Sequence, residues 1–113
     1  MVEEMVQFTL RAQVAVLAKR YFPAMKKVPN LLVVQEADND GHGPAWLNAL
    51  AGTIHIDERV STFQEKTTPI LILHELIHWS LFQENRDPDK EEGERFQTEL
   101  ARIKKLGAYK GLL

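Results

Sequence analysis

The sequence predicts one α+β domain, with about three strands packed against an N-terminal helix, a central helix and a C-terminal helix. Three observations predict it. Apolar residues recur at helical spacing through the first twenty positions. Short β-rich segments bounded by turn residues occupy the middle of the chain. A long, almost wholly apolar segment follows, and then a charged segment with helical start and stop signals.

The N-terminal helix rests on Val6, Leu10, Val14, Leu17 and Tyr21, whose spacings of three and four place them on one face. Pro23 ends it shortly after Tyr21. Leu31 to Gln35 is a strand, bounded by Pro29-Asn30 and a polar stretch. Asp38-Asn39-Asp40-Gly41 carries turn chemistry. Trp46 to Leu50, the small turn Ala51-Gly52 and Thr53 to Asp57 form a hairpin. Its second strand alternates isoleucine with polar residues, so one face is expected to be wet.

Thr68-Pro69 then marks a helix start, with Thr68 as N-cap and Pro69 at the first helical position. The helix is expected to reach about Phe82. Its residues Ile70 to Leu73, Leu76, Ile77, Trp79, Leu81 and Phe82 are apolar nearly all round, as in the buried centre of a domain. Gln83 to Lys90 is a polar loop. The last helix opens near Glu91 and stops before Gly107, with an acidic first turn and a basic last turn that both suit the helix dipole.

Composition narrows the function classes. A chain of 113 residues is a single domain, spanning 1–113, that needs no disulfide staples. It contains no cysteine, which removes disulfides, cysteine-ligated zinc ribbons, iron–sulfur clusters and thiol catalysis. A formal charge of −2 provides no global basic field for nucleic acid or anionic membrane. Met1-Val2-Glu3-Glu4 is acidic where a signal peptide would be basic. The longest apolar run, Pro69 to Leu73, is far too short to span a bilayer. The expectation is a soluble cytoplasmic protein that makes no membrane contact.

Within the central helix stands His74-Glu75-Leu76-Ile77-His78, an HExxH motif. With four His and eleven Glu in the chain, random order would produce it roughly 0.01 times. Positions i and i+4 share a helix face, so both imidazoles reach one metal ion, zinc above all. Glu75 is rotated roughly 100° from His74 and addresses a water at the metal instead of the metal itself. Zinc acidifies such a water and polarises a carbonyl, and the glutamate serves as general base. Two histidines and a glutamate on an apolar helix are costly to bury without such a partner.

A catalytic zinc needs a third protein ligand and an open fourth position. No histidine follows His78, so a downstream ligand is a carboxylate: Glu84, Asp87, Asp89, Glu91, Glu92 or Glu94. Glu84 points away if the helix continues, and Asp87 and Asp89 flank Pro88 as turn residues. The three glutamates near position 92 also serve the helix dipole, and spacing does not choose among them.

From about Asn30 to Gly107 the chain resembles the SprT-like zinc metallopeptidases, which include the Spartan-type proteases. The resemblance rests on the strand, the glycine-containing hairpin ending in Ile54-x-Ile56, the Thr-Pro start of the motif helix and the closing helix. It implies a zincin-like fold and a zinc-dependent endopeptidase acting on protein or peptide. The third ligand of that family is a histidine in His-Gly-x-x-Phe. Here Glu92-Gly93-Glu94-Arg95-Phe96 stands in its place. The ImmA/IrrE-type peptidases are similar in the last helix and use a glutamate four residues before a phenylalanine. Both resemblances imply His74, His78 and Glu92 as metal ligands and Glu75 as catalytic base. The DNA-binding modules of Spartan-type proteins are not in this sequence, so a nucleic-acid partner is implied by family alone and unsupported by charge. The alternative function is a non-catalytic metal- or partner-binding module of the same fold.

Other residues carry weaker signals. His42, in Gly41-His42-Gly43, is read as a turn residue. His55 is expected on an exposed face or an edge, the alternative being a position facing an extended peptide bound alongside. Trp46 and Trp79 are expected in the core. The basic pairs Lys19-Arg20, Lys26-Lys27 and Lys104-Lys105 are read as solvated faces. Arg95, Tyr109 and His55 are candidate donors to a tetrahedral oxyanion.

Overall fold

A computed structural model describes residues 2–63, 66–84 and 93–112. Helix α1 spans Val2–Tyr21, β1 Asn30–Val34, β2 Ala45–Asn48, β3 Thr53–Asp57, α2 Glu58–Phe63, α3 Thr67–Gln83 and α4 Glu94–Lys105. The class is α+β, with four helices around a three-stranded mixed sheet among the described residues.

The sheet order is β1-β3-β2. Strand β3 runs parallel to β1 and antiparallel to β2, with Leu32 and Trp46 flanking His55 in register. Alternation along β3 turns Ile54 and Ile56 inward, where both are fully buried. They meet Leu10, Val14 and Ala18 of α1 and Ile72, Leu73, Leu76 and Ile77 of α3 in one core. The helical stripe expected on α1 is the buried one, and Phe22 N–H donates to Ala18 O at 2.8 Å as the helix closes before Pro23.

The β2–β3 turn is four residues long, Ala49 to Gly52, and β2 ends at Asn48, two residues before the sequence suggests. Gly52 sits at φ 65°, and a Cβ there would lie 3.3 Å from the Trp79 ring. Trp79 is held in turn by donation of its indole N–H to Lys27 O at 2.6 Å. Only glycine meets both the backbone angle and the close approach.

Three expectations need correction. Thr68 is not an N-cap: α3 begins at Thr67, and the Thr68 hydroxyl donates to Val60 O of α2 at 3.2 Å. Helix α2 itself gave no separate signal, because its six residues are too few for a helical period to appear. The outer face of β3 is not uniformly wet. Asp57 is buried there, because the segment from Gln35 to Gly43 folds back over the end of the strand. Helix α4 is described from Glu94 with Gly93 as N-cap, later than Glu91, which lies outside the described residues.

The two edges of the sheet differ. Strand β1 lies under α1, whose polar side chains satisfy its edge. Val33 N–H donates to Gln7 Oε1, and Arg11 Nε donates to Leu31 O, both at 2.9 Å. Strand β2 forms the opposite edge. Pro44 O accepts from Asp57 N–H, so Pro44, Trp46 and Asn48 face β3. Ala45 and Leu47 therefore direct their backbone N–H and C=O groups outward.

Candidate metal centre

Helix α3 is the central element. Its apolar residues bury every side except the one carrying the two histidines, which are half-buried. Their ring centroids lie 4.9 Å apart with planes at 68°. The distance can be checked against chemistry. A zinc–nitrogen bond of about 2.1 Å plus roughly 1.1 Å to the ring centre places each centroid about 3.2 Å from an ion. A tetrahedral angle then separates the centroids by roughly 5 Å. The pair therefore fits a shared ion, and the rings occupy one environment.

Phe96, in the first turn of α4, makes that environment. Its ring lies 4.8 Å from His74 and 4.7 Å from His78 and is almost fully buried. One aromatic side chain thus supports both imidazoles, and the start of α4 is brought against the motif. Glu75, one residue along the helix, is also buried, at 7 % exposure.

Among the described residues no cluster of three potential ligands forms, so Glu84 and Glu94, both exposed, do not join the pair. Asp87, Asp89, Glu91 and Glu92 lie outside the described residues. In the sequence Glu92 stands four positions before Phe96.

No family model, curated protein or solved structure matches the chain. The site's chemistry therefore rests on its own residues. None of the described helices is long and apolar enough to cross a membrane.

The candidate oxyanion donors separate. Tyr109 belongs to the core, where burial raises its hydroxyl pKa. His55 is on the central strand, not an edge, and alternation puts it on the sheet face away from the core and α3. Arg95 is exposed in the first turn of α4 beside Phe96. Trp79 is in the core, but Trp46 is half-buried on the outer sheet face. It is stacked between His42 at 4.6 Å and His55 at 4.9 Å. His42 is in a turn as expected, its N–H donating to Asn39 Oδ1 at 2.8 Å. Burial, then the nearby His42, lowers the pKa of His55, and its Nδ1 is buried with no hydrogen-bond partner among the described residues.

A second polar cluster went unread in the sequence. Asp57 accepts from Arg59 Nε at 2.9 Å, Arg59 N–H at 2.9 Å and Asn39 Nδ2 at 2.7 Å. The Arg59 guanidinium holds its carboxyl far below the usual carboxylate range, against the opposing effect of burial. Asn39 Nδ2 also donates to Gly43 O, so this cluster fixes the loop that carries His42. The i, i+2 spacing of Asp57 and Arg59 was the available signal, but a strand-end Asp-x-Arg occurs too freely to single out.

A cleft of about 480 Å³ lies between Phe22–Lys26, the end of α3 and α4. It includes none of His74, Glu75, His78 or Phe96. Chemistry favours the histidine pair over that cleft, since an open cleft needs no special residues to exist.

Proposed function

We propose that this chain is a metal-dependent endopeptidase of the zincin type, acting on protein or peptide. The observation that carries the proposal is the geometry of α3 and α4: two imidazoles at shared-ion spacing, backed by one phenylalanine, with a buried glutamate next to the first. His74 and His78 would hold the ion, zinc by the chemistry of the donors, with Glu92 as third ligand on the resemblance to SprT-like and ImmA/IrrE-type peptidases. The ion would supply Lewis acidity and lower the pKa of a water.

The remaining work falls to the chain's own residues. Glu75 takes the proton of the attacking water and returns it to the departing amine. Glu75 is buried, which limits the access of bulk water to its carboxyl. Arg95 is the one candidate oxyanion donor on the same helix turn as Phe96. The outward N–H and C=O groups of Ala45 and Leu47 suit an extended peptide added as a fourth strand. Strand β1 offers no such edge, because Gln7 and Arg11 already occupy it.

The test is Glu75→Gln beside His78→Ala. The first is expected to keep one bound zinc, measured by plasma mass spectrometry, and to lose cleavage of an unfolded protein substrate. The second is expected to lose both. Metal retained in His78→Ala, or full cleavage by Glu75→Gln, would refute the proposal. Glu92→Ala is expected to weaken zinc binding where Glu94→Ala does not.

A further inference from the structure

Three rings form a ladder across the outer face of the sheet. His55 and Trp46 are register partners on β3 and β2, and their rings stack 4.9 Å apart with planes at 9°. His42 stacks on the other face of Trp46, at 4.6 Å and 21°. Strand β3 takes the first side of Trp46, so His42 is on the second, beyond the last strand. Both spacings match the roughly 4.7–4.9 Å between neighbouring strands. The His42 ring thus occupies the place of a side chain on a fourth strand, opposite Trp46. That place belongs to a close pair. Trp46 turns its own N–H and C=O toward β3. A residue added opposite it on an antiparallel fourth strand is therefore a non-hydrogen-bonded partner, with the side chains at their nearest.

His42 is held there by its stacking. It is exposed, and its ring makes no hydrogen bond among the described residues. The Asn39 amide oxygen holds its backbone N–H, so the imidazole can turn aside while the loop stays in place. Trp46 is half-buried and backed by His55, which presets a flat indole face toward the edge.

We propose that Trp46 and His42 set substrate specificity at the β2 edge: an aromatic side chain of an extended peptide replaces the His42 imidazole on the edge-side face of Trp46. This deepens the proposed function and rests on its fourth-strand approach. A ring is the favoured occupant, because the slot already stacks a ring against the indole, and stacking adds roughly three- to tenfold in affinity beyond apolar burial. Alternation keeps that side chain on the sheet face away from α3, so it selects the peptide without meeting the metal ligands.

The probes are three capped peptides, Lys-Thr-Val-Xaa-Val-Thr-Lys, in which Xaa is phenylalanine, leucine or arginine. Calorimetric titration into the whole chain carrying Glu75→Gln, which keeps the probes uncut, is expected to show phenylalanine binding roughly three- to tenfold tighter than the other two. Adding Trp46→Leu is expected to abolish the preference. Adding His42→Ala, at an exposed position, is expected to tighten the phenylalanine probe by roughly three- to tenfold, because the competing ring is gone, and it tests the slot even if Trp46→Leu unfolds. The chain has two tryptophans, so their indole N–H signals in NMR locate the probe: that of Trp46 is expected to shift and that of Trp79 to stay. No binding, equal affinity for phenylalanine and leucine, a tighter arginine probe or an unaltered affinity in His42→Ala overturns the inference. Cleavage by the wild type is read separately. Aromatic preference without cleavage sinks only the endopeptidase reading, and cleavage without aromatic preference sinks only this one.

Discussion

Phe96 offers the most informative single perturbation, because it serves the core and the histidine pair at once. Its ring is nearly fully buried and touches both imidazoles at under 5 Å. Truncation to alanine removes that packing and leaves a cavity, at a cost of about 3–5 kcal/mol. A domain of this size has only about 5–15 kcal/mol in total, so Tm is expected to fall by roughly 10–25 °C. Phe96→Leu separates the two roles. It nearly conserves volume and is expected to cost less than about 1.5 kcal/mol. If the aromatic face holds both rings in orientation, zinc affinity should still fall about 10–100-fold, the range for lost supporting contacts to metal ligands. Thermal melts on the metal-stripped protein and competition titration with a zinc chelator measure the two quantities. Unchanged zinc affinity in Phe96→Leu would falsify the orienting role, and a Tm shift of under about 3 °C in Phe96→Ala would contradict the packing.

Gly52→Ala must place a methyl group at φ 65°, 3.3 Å from a Trp79 ring whose N–H is anchored to Lys27 O. A loss of about 1–3 kcal/mol in urea denaturation is expected, and neutrality would show that the turn relaxes. Asn39→Ala removes the amide donated to buried Asp57 and is expected to cost about 2 kcal/mol by the same measurement. The pH dependence follows from two lowered pKa values. Asp57 is depressed by Arg59, so its contribution is present above its ordinary value of 3.8 and is lost as pH falls below it. His55 is lowered from 6.5 by burial, so the unfolded chain binds its proton first and stability also declines as pH drops below 6.5. Melts between pH 7 and pH 3 should show Tm falling in both windows, with His55→Gln flattening the upper one.

Much of this architecture is legible before any coordinates. The stripe Val6–Tyr21 and the Ile54-x-Ile56 alternation carry periods that burial enforces, the motif helix is marked by its nearly all-round apolar length, and each element lies where its signal places it. Failures occur where long-range contacts outweigh local signals. Thr68 has cap chemistry, but α2 packs alongside and draws its hydroxyl to Val60 O. His55 has the polarity of an edge or surface residue. Yet β1 returns in parallel on its far side, a pairing with no local sequence signature, and makes β3 central. Trp46 looks like core because it is large and apolar, but its register partner is His55, so it shares the outer face. The histidine pair was the most legible feature, since i, i+4 spacing on a helix fixes proximity without help from the rest of the fold. A third ligand from another element has no such local rule, which is why resemblance and not spacing singles out Glu92.

The arrangement of the sheet edges ties fold to chemistry. A three-stranded sheet has two edges, and each unpaired edge invites another chain. Here α1 spends two of its polar residues, Gln7 and Arg11, on the edge of β1. On β2, the outward groups of Ala45 and Leu47 are part of the strand that packs directly against α3, the helix bearing His74, Glu75 and His78. On the proposed reading a peptide strand would add at β2, the edge that among the described residues adjoins the motif helix. Blocking that edge with Leu47→Pro, which removes an outward N–H and some core packing but none of the hydrogen bonds to β3, should raise KM for an extended substrate while zinc binding persists. Unaltered KM would mean that substrate approaches α3 without the sheet.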